Sequence, residues 1–149
     1  MKKQMFITIL LLSTIVLSAQ NTDQEKEAIK KVIQTAYVEG LQNEGDAEKI
    51  ELGFHPDFYM LGIGNGNSMW KYSISDWKAK VVQKRKSGEL PNKGSNIVSV
   101  KFKSIDVTNT AASVKLDFFI GEKHTYTDYM LLYKFGDSWK IVSKIFTKK

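Results

Sequence analysis

The chain has 149 residues, with 22 Lys and Arg against 16 Asp and Glu, and a formal net charge of +6 at neutral pH. It contains no cysteine, so disulfides, a lipid-modified cysteine anchor and a cysteine nucleophile are excluded. The length is that of one domain, large enough to bury a core without covalent cross-links.

The first 19 residues differ from the rest of the chain. The basic start MKK is followed by an apolar run and then by the small residues Ser18 and Ala19. This order is typical of a secretory signal peptide, and the run is shorter than the roughly 20 apolar residues of a membrane span. We therefore expect a signal peptide over 1–19, one domain over 20–149, and a periplasmic or secreted protein with no stable membrane insertion after cleavage. An uncleaved N-terminal anchor is the alternative.

Apolar residues at spacings of three and four predict a first helix from about Asn21 to Asn43. Gly45 ends this helix, and Asp46 is the predicted cap of a short second one. Tyr37 lies on the apolar stripe, so it either fills the core or presents its hydroxyl to a pocket.

The junction GFHPDF contains His55 and Asp57 on either side of Pro56. As chemistry, His55 would be a base near neutrality and Asp57 its orienting partner. The simpler interpretation is a turn, because proline and aspartate redirect chains and the residue before a proline disfavours the helical region. We favour the turn, with His55 bonded to the helix end, and keep His55 as a candidate ligand contact.

Two short strands, FYMLGI and SMWKY, follow around the turn GNGN. Tyr59, in the first of them, is a candidate pocket wall. A third helix starts at SDW, with Ser75 as the predicted cap and Trp77 on its inner side. Its lysines, KAKVVQKRK, lack the interleaved aromatic residues of a nucleic-acid site, so we interpret them as a solvated face and expect no nucleic-acid partner.

Four strands close the chain, at about Ile97–Val107, Ala111–Ile120, His124–Phe135 and Trp139–Thr147. The order of two helices, two strands, one helix and four strands predicts an α+β fold. Helices should cover one face of a curved antiparallel sheet.

A two-residue turn at Gly136-Asp137 predicts the register of the last hairpin. Leu132 then lies opposite Ile141, Met130 opposite Ser143, and Asp128 opposite Ile145. Asp128, Met130 and Ser143 would share the face that also carries Trp139, which should pack on the helices. The other face would carry apolar residues that need cover, and a second copy of the chain is the simplest candidate, through Tyr129, Leu131, Tyr133 and Phe146.

Asp128 is the sharper candidate for chemistry. A carboxylate among apolar neighbours would be desolvated and its pKa raised, so that it acts as a general base near neutral pH. The alternative is a solvated position near the outer end of the strand.

Several segments together, AYVEGLQNEGDAEKI, FHPDF, the DW of the third helix and TDYMLLYKFGDSWKIVSKIF, resemble the lumazine-binding-like family of the nuclear-transport-factor-two-like (SnoaL-like) superfamily. The resemblance covers about residues 24–147. It implies a cone-shaped, bent sheet wrapped by three helices, a pocket between the helices and the concave face, and frequent dimerisation through the convex face. The family's usual Asn before the lysine of the last strand is Ser143 here.

The sequence shows no metal-ligand spacing, nucleophile elbow or phosphate loop, so we expect no metal and no cofactor. We predict a small-molecule-binding domain for an apolar or aromatic ligand, with contacts from Tyr37, His55, Tyr59, Trp77, Met130 and Ser143. A cyclase- or isomerase-type enzyme with Asp128 as base is one alternative, and a protein-interaction module of the cell envelope is another.

Overall fold

Three helices and a six-stranded sheet make up the computed structural model, which describes residues 22–149. The predicted signal peptide lies outside the described residues. Helix α1 covers 22–44, with wider, π-type hydrogen bonding over Ile33–Glu44; α2 is Ala47–Gly53 and α3 is Ile74–Lys86. The strands are β1 Phe54–Ile63, β2 Met69–Ser73, β3 Val98–Thr108, β4 Ala111–Ile120, β5 Lys123–Phe135 and β6 Ser138–Lys148.

The predicted end of α1 and the predicted start of α2 are both confirmed. Gly45 adopts a left-handed backbone with φ of 64°, which glycine reaches without steric cost. The Asp46 side chain then accepts hydrogen bonds from the backbone amides of Glu48 and Lys49, at 3.1 and 3.2 Å. These bonds satisfy two amides that have no partner inside the helix.

Helix α3 begins earlier than predicted. Ser73, and not Ser75, is the capping residue, and its hydroxyl accepts from the amide of Asp76 at 3.1 Å. The strand β2 therefore runs directly into the helix. Trp77 still lies on the inner side, as expected.

The strands lie in the order β2-β1-β6-β5-β4-β3, and the sheet is open. Every neighbouring pair is antiparallel except β1 and β6, which run parallel. The helices cover one face, where residues of α1 such as Ile33 and Leu41 are buried with Leu116 and Ile141 of the sheet. The predicted α+β class is confirmed, and the register of β4, undecided from sequence, places Leu116 and Phe118 on the covered face.

The last hairpin follows the predicted register only near its turn. Leu132 pairs with Ile141, but Leu131 pairs with Ser143, so Val142 is an extra residue in β6. Such a β-bulge reverses the alternation of side chains beyond it. Met130 therefore pairs with Lys144 and Asp128 with Phe146, and the predicted pairs with Ser143 and Ile145 are wrong.

The bulge exchanges the faces of four residues. Lys144 and Phe146 lie on the helix-covered face, whereas Ser143 and Ile145 lie on the outer face. Phe146 was predicted on the outer face and Ser143 on the inner one, and both placements are wrong for this reason. Alternation alone cannot reveal an inserted residue.

The His55–Asp57 junction is part of β1 and not a turn. Phe54 pairs with Ile141 and Tyr59 with Ser143, so three extra residues bow out of β1 between these two positions. Residues of the bow have no paired residue in β6, so Pro56, which has no backbone N–H to donate, can lie within the strand.

Among residues 22–149, no helix has both the length and the apolar character needed to cross a bilayer.

Candidate functional site

A lysine, an aspartate and a tyrosine meet in the interior between α1 and the sheet. Asp128 is 0% exposed, Tyr37 1% and Lys144 5%. Lys144 Nζ donates to Asp128 Oδ2 at 2.9 Å and to the Tyr37 hydroxyl oxygen at 2.6 Å. The Tyr37 hydroxyl donates in turn to Asp128 Oδ2 at 2.7 Å. Each of the three residues contacts the other two.

Three separate elements supply this triad, which we call the Lys–Asp–Tyr triad. Tyr37 comes from the inner stripe of α1, Asp128 from β5 and Lys144 from β6. The bulge at Val142 turns Lys144 inward, because without it Ser143 would occupy the inner face. The sheet and the first helix thus hold the triad from both sides.

Four aromatic rings surround the lysine. Nζ of Lys144 lies 4.8 Å from the ring centre of Tyr37, 5.3 Å from Phe146, 5.8 Å from Trp77 and 5.9 Å from Phe118. A cation within about 6 Å of an aromatic ring is attracted to the ring's negative face. The rings replace part of the hydration that Lys144 loses on burial.

The buried environment changes the acid–base properties of two of the groups. Desolvation lowers the pKa of Lys144 below its ordinary value, and the negative charge of Asp128 opposes this change. Desolvation also raises the pKa of Tyr37 well above its ordinary value, and the Asp128 carboxylate adds to the increase. Tyr37 therefore stays protonated and remains a hydrogen-bond donor at physiological pH.

A cavity of about 170 Å³ opens beside the triad. Its walls include Tyr37 and Lys144 of the triad, together with Gln42, Met60, Trp77, Phe118, Tyr126 and Phe146. A second cavity of about 430 Å³ shares Gln42, Trp77, Phe118 and Tyr126 with it and adds polar residues such as Asn92 and Lys80. The two cavities form an inner, aromatic chamber and an outer, more polar one, and the outer volume is in the usual range of small-molecule sites.

Asp128 does not line either chamber. Its Oδ2 accepts both triad hydrogen bonds, and its Oδ1 is buried without a donor from residues 22–149. Lys144 and Tyr37 stand between the carboxylate and the inner chamber. The residue that faces a ligand is therefore the lysine, and Asp128 is its counter-charge.

Three of the residues singled out from the sequence come together here: Tyr37, Trp77 and Asp128. Trp77 makes an edge-on contact with Tyr37, with ring centres 6.3 Å apart, and lines both chambers. Of the two positions considered for Asp128, desolvated among apolar residues or solvated near the end of the strand, the structure shows the buried one.

His55 lies elsewhere. Its Nδ1 accepts a hydrogen bond from the Asp57 amide at 3.2 Å, and its ring stacks on Phe135 with centres 4.8 Å apart. The Asp57 carboxylate is 3.7 Å from Nδ1 and 90% exposed. The predicted bond from His55 to the helix end is wrong, because the imidazole folds back on its own strand.

The other predicted ligand contacts also lie away from the chambers. Tyr59 and Ser143 pair on the outer side of β1 and β6, where the Ser143 hydroxyl donates to the Tyr59 carbonyl at 3.4 Å. Met130 is packed in the core at 1% exposure. Their roles as ligand contacts stay predictions.

Sequence reasoning missed Lys144, Phe146, Phe118, Tyr126, Gln42 and Met60. The available signal for Lys144 was a lysine directly before the apolar Ile145 and Phe146 in WKIVSKIF. Its inward direction depends on the bulge, which the alternation does not encode.

No group of three or more His, Asp or Glu side chains in residues 22–149 is arranged to hold a metal ion. A second histidine, His124, packs on Phe119 with ring centres 5.1 Å apart, and its Nε2 lies 3.3 Å from Asp117 Oδ1. This pair is at the far end of β5 and is not part of the triad.

Comparison with known families agrees with this geometry. A family model with the description "Putative lumazine-binding" matches residues 24–147, which is nearly the whole described chain. The chain belongs to this family. The resemblance drawn from the sequence is thereby confirmed, and family membership points to small-molecule binding.

Solved structures show the same fold. An NTF2-like protein of unknown function from Shewanella baltica is 24% identical, covering 85% of this chain and 94% of that one, with a TM-score of 0.65. A second, from Silicibacter pomeroyi, is 17% identical over 86% of this chain and 98% of that one, with a TM-score of 0.67. An NTF2-like protein from Cytophaga hutchinsonii is 17% identical over 86% and 98%, with a TM-score of 0.55. At these identities the likeness shows the cone-shaped NTF2-like fold alone. A search of curated proteins returned no match.

Proposed function

We propose that this protein binds a small, flat aromatic or largely apolar molecule in the inner chamber, with a polar acceptor on the ligand directed at Lys144. The observation that carries the proposal is a buried ammonium group at the wall of an aromatic cavity. An ammonium group has three donors, and residues of the described chain use two of them. The third is available to a ligand oxygen or nitrogen.

The ring content of the chamber favours an aromatic ligand over a flexible one. Trp77 and Phe118 contribute flat surfaces, and aromatic pairs gain about 0.5–1.5 kcal/mol beyond simple area burial. Lumazine, which the family description names, is a flat heteroaromatic molecule with carbonyl acceptors, and it is the probe of choice.

Binding is favoured over the alternative of a cyclase or isomerase with Asp128 as general base. A general base must reach the proton that it removes, directly or through one water. Asp128 lies behind Lys144 and Tyr37, and both donate to its Oδ2. Asp128 is therefore not placed to remove a proton from a ligand in the inner chamber.

The test is a fluorescence titration of the protein with lumazine. Trp77→Ala and Lys144→Met should each weaken binding about tenfold, the effect of losing one aromatic wall or one charged hydrogen bond. Tyr133→Ala, on the outer face, is the matched control and should bind as the unaltered protein does. The absence of saturable lumazine binding, together with a native mass spectrum of the bare chain after non-denaturing purification, would contradict the proposal.

We further propose that the protein is exported and forms a homodimer. Export rests on the signal-peptide pattern of residues 1–19. The dimer rests on the outer face of the sheet, where Tyr129, Leu131, Tyr133 and Ile145 are each 43–53% exposed. A two-fold pair buries the same patch of both copies at once. Phe146, part of the interface predicted from the sequence, is not included because it lines the inner chamber.

A further inference from the structure

The side chain of Lys144 has the surroundings of a reactive amine as well as those of a cation. It is 6% exposed, it lines the inner chamber, and its Nζ lies within 6 Å of four ring centres. Desolvation lowers its pKa, so a larger fraction of Lys144 is neutral at a given pH than of a lysine in water. Neutral amines are the nucleophiles that attack carbonyl carbons.

The other two members of the triad are placed to move the protons that such an attack requires. Asp128 Oδ2 is 2.9 Å from Nζ, and the Tyr37 oxygen is 2.6 Å from Nζ and 2.7 Å from Oδ2. All three distances allow direct transfer. The other titratable residues that line the two chambers are Tyr126 in the inner one and Tyr72, Lys80 and Lys84 in the outer one. Asp128 is the carboxylate in direct contact with Lys144.

We propose that Lys144 forms a reversible Schiff base with the carbonyl carbon of an aromatic aldehyde bound in the inner chamber. This inference rests on the proposed binding function, because the aldehyde must first occupy the same chamber. It adds a covalent step and assigns the ligand's acceptor to a carbonyl oxygen.

The step balances within the triad. Lys144 passes one ammonium proton to Asp128, and the neutral amine adds to the carbonyl carbon to form a carbinolamine, whose nitrogen proton moves to its oxygen. Asp128 returns its proton through the Tyr37 hydroxyl to the carbinolamine hydroxyl, which leaves as water. The product is a protonated imine paired with the Asp128 carboxylate. One ammonium and one aldehyde give one iminium and one water, with no change of oxidation state.

The test is reductive trapping with benzaldehyde and sodium cyanoborohydride at pH 7, followed by intact-mass measurement and peptide mapping. Lys144 should be labelled several-fold faster than the exposed Lys101, because its lowered pKa leaves a larger neutral fraction and the chamber holds the aldehyde beside Nζ. Lys144→Arg keeps the charge and removes the amine. It should abolish labelling at this position and leave labelling of Lys101 unchanged, with the fold checked by circular dichroism.

Benzyl alcohol separates the covalent step from binding, because it has the same ring and no carbonyl. It should change the tryptophan fluorescence of the protein, and this change should be absent in Trp77→Phe. It should also slow the trapping of Lys144 by competition. If benzyl alcohol binds but Lys144 is labelled no faster than Lys101, the Schiff base is wrong and the binding function stands. If neither compound binds the chamber, the Schiff base is overturned, and the lumazine titration decides separately whether the binding function stands.

Discussion

Both faces of the sheet carry aromatic and aliphatic side chains, but their lysines lie in opposite surroundings. On the inner face, Lys144 and Asp128 are held out of water under α1, with a lysine among aromatic rings. On the outer face, Lys115 lies 5.5 Å from the ring centre of Tyr129, and both side chains meet solvent. The same lysine–ring contact is thus present twice, once desolvated and once hydrated.

The difference shows which contacts have energetic and chemical consequences. A buried ion pair is costly to form, and removing one partner leaves an uncompensated charge. An exposed lysine on a ring contributes little, because water competes for the ammonium group. We therefore expect substitutions on the inner face to change stability and binding, and substitutions on the outer face to change association between chains.

The largest effect should follow Asp128→Asn. The buried Lys144 would lose its counter-charge, which costs about 3–5 kcal/mol in the free energy of unfolding. The double variant Asp128→Asn with Lys144→Met should be more stable than Asp128→Asn alone, because no charge is then left buried. Urea unfolding at pH 7 measures the stability of both variants. An Asp128→Asn protein as stable as the unaltered protein would show that the pair is not buried in solution.

The pH dependence of the free energy of unfolding should also report the lowered pKa of Lys144. The pKa of Lys144 is lowered by folding, so the folded state binds this proton more weakly than the unfolded state does. Stability from this group should therefore rise as the pH increases from the folded pKa towards the ordinary lysine value of about 10.4. Urea unfolding over that range should show this slope in the unaltered protein and in Lys115→Met but not in Lys144→Met. Equal slopes in the three proteins would contradict the lowered pKa.

On the outer face, Leu131→Arg should break the proposed dimer and leave the triad intact. A charge placed in an apolar two-fold interface is repeated on both copies, so the dissociation constant should rise at least about tenfold. Sedimentation equilibrium measures the change. Ligand binding beside Lys144 should persist, so lumazine titration of the variant serves as the control. An unaltered protein that sediments as a monomer would refute the dimer.

Tyr37→Phe removes one hydroxyl from the inner face without changing the ring contacts. Asp128 Oδ2 loses one of its two donors, at a cost of about 1–3 kcal/mol in unfolding free energy. Thermal unfolding followed by circular dichroism measures this loss. Tyr133→Phe, on the outer face, is the matched control, and equal effects from the two substitutions would mean that the buried hydroxyl has no special role.

The smallest effect should come from Lys115→Met. This residue contacts an aromatic ring much as Lys144 does, but its charge is hydrated in the separate chain. At concentrations where the chain is monomeric, the change should therefore stay within about 0.5 kcal/mol. Urea unfolding of Lys115→Met beside Lys144→Met compares the two lysines directly. A loss of several kcal/mol from Lys115→Met would remove the distinction between the faces.

Much of the fold could be predicted from the sequence because its signals are local. Gly45 and Asp46 end one helix and start the next through their own backbone and side-chain chemistry. The turn at residues 136–137 sets the pairing of Leu132 with Ile141 in the same way. Asp128 could be singled out because a charge among apolar residues of a strand is unusual.

The rest of the site depends on irregularities that a periodic pattern does not contain. One extra residue at Val142 brings Lys144 to the inner face, and a bow in β1 places His55 against Phe135 instead of the pocket. Both features arise from how neighbouring strands fit together, so they become visible only in three dimensions. Sequence reasoning therefore found the buried acid and missed its base.

The most direct test of the inner-face assignment is a proton–carbon NMR spectrum of the protein with carbon-13-labelled lysine, recorded during a titration with lumazine. The four rings around Nζ should shift the side-chain signal of one lysine far from the others, and Lys144→Met identifies it by its disappearance. We expect this signal to move with lumazine while that of Lys115 stays in place. A lysine spectrum without a ring-shifted signal, or lumazine binding that leaves that signal unmoved, would contradict the account.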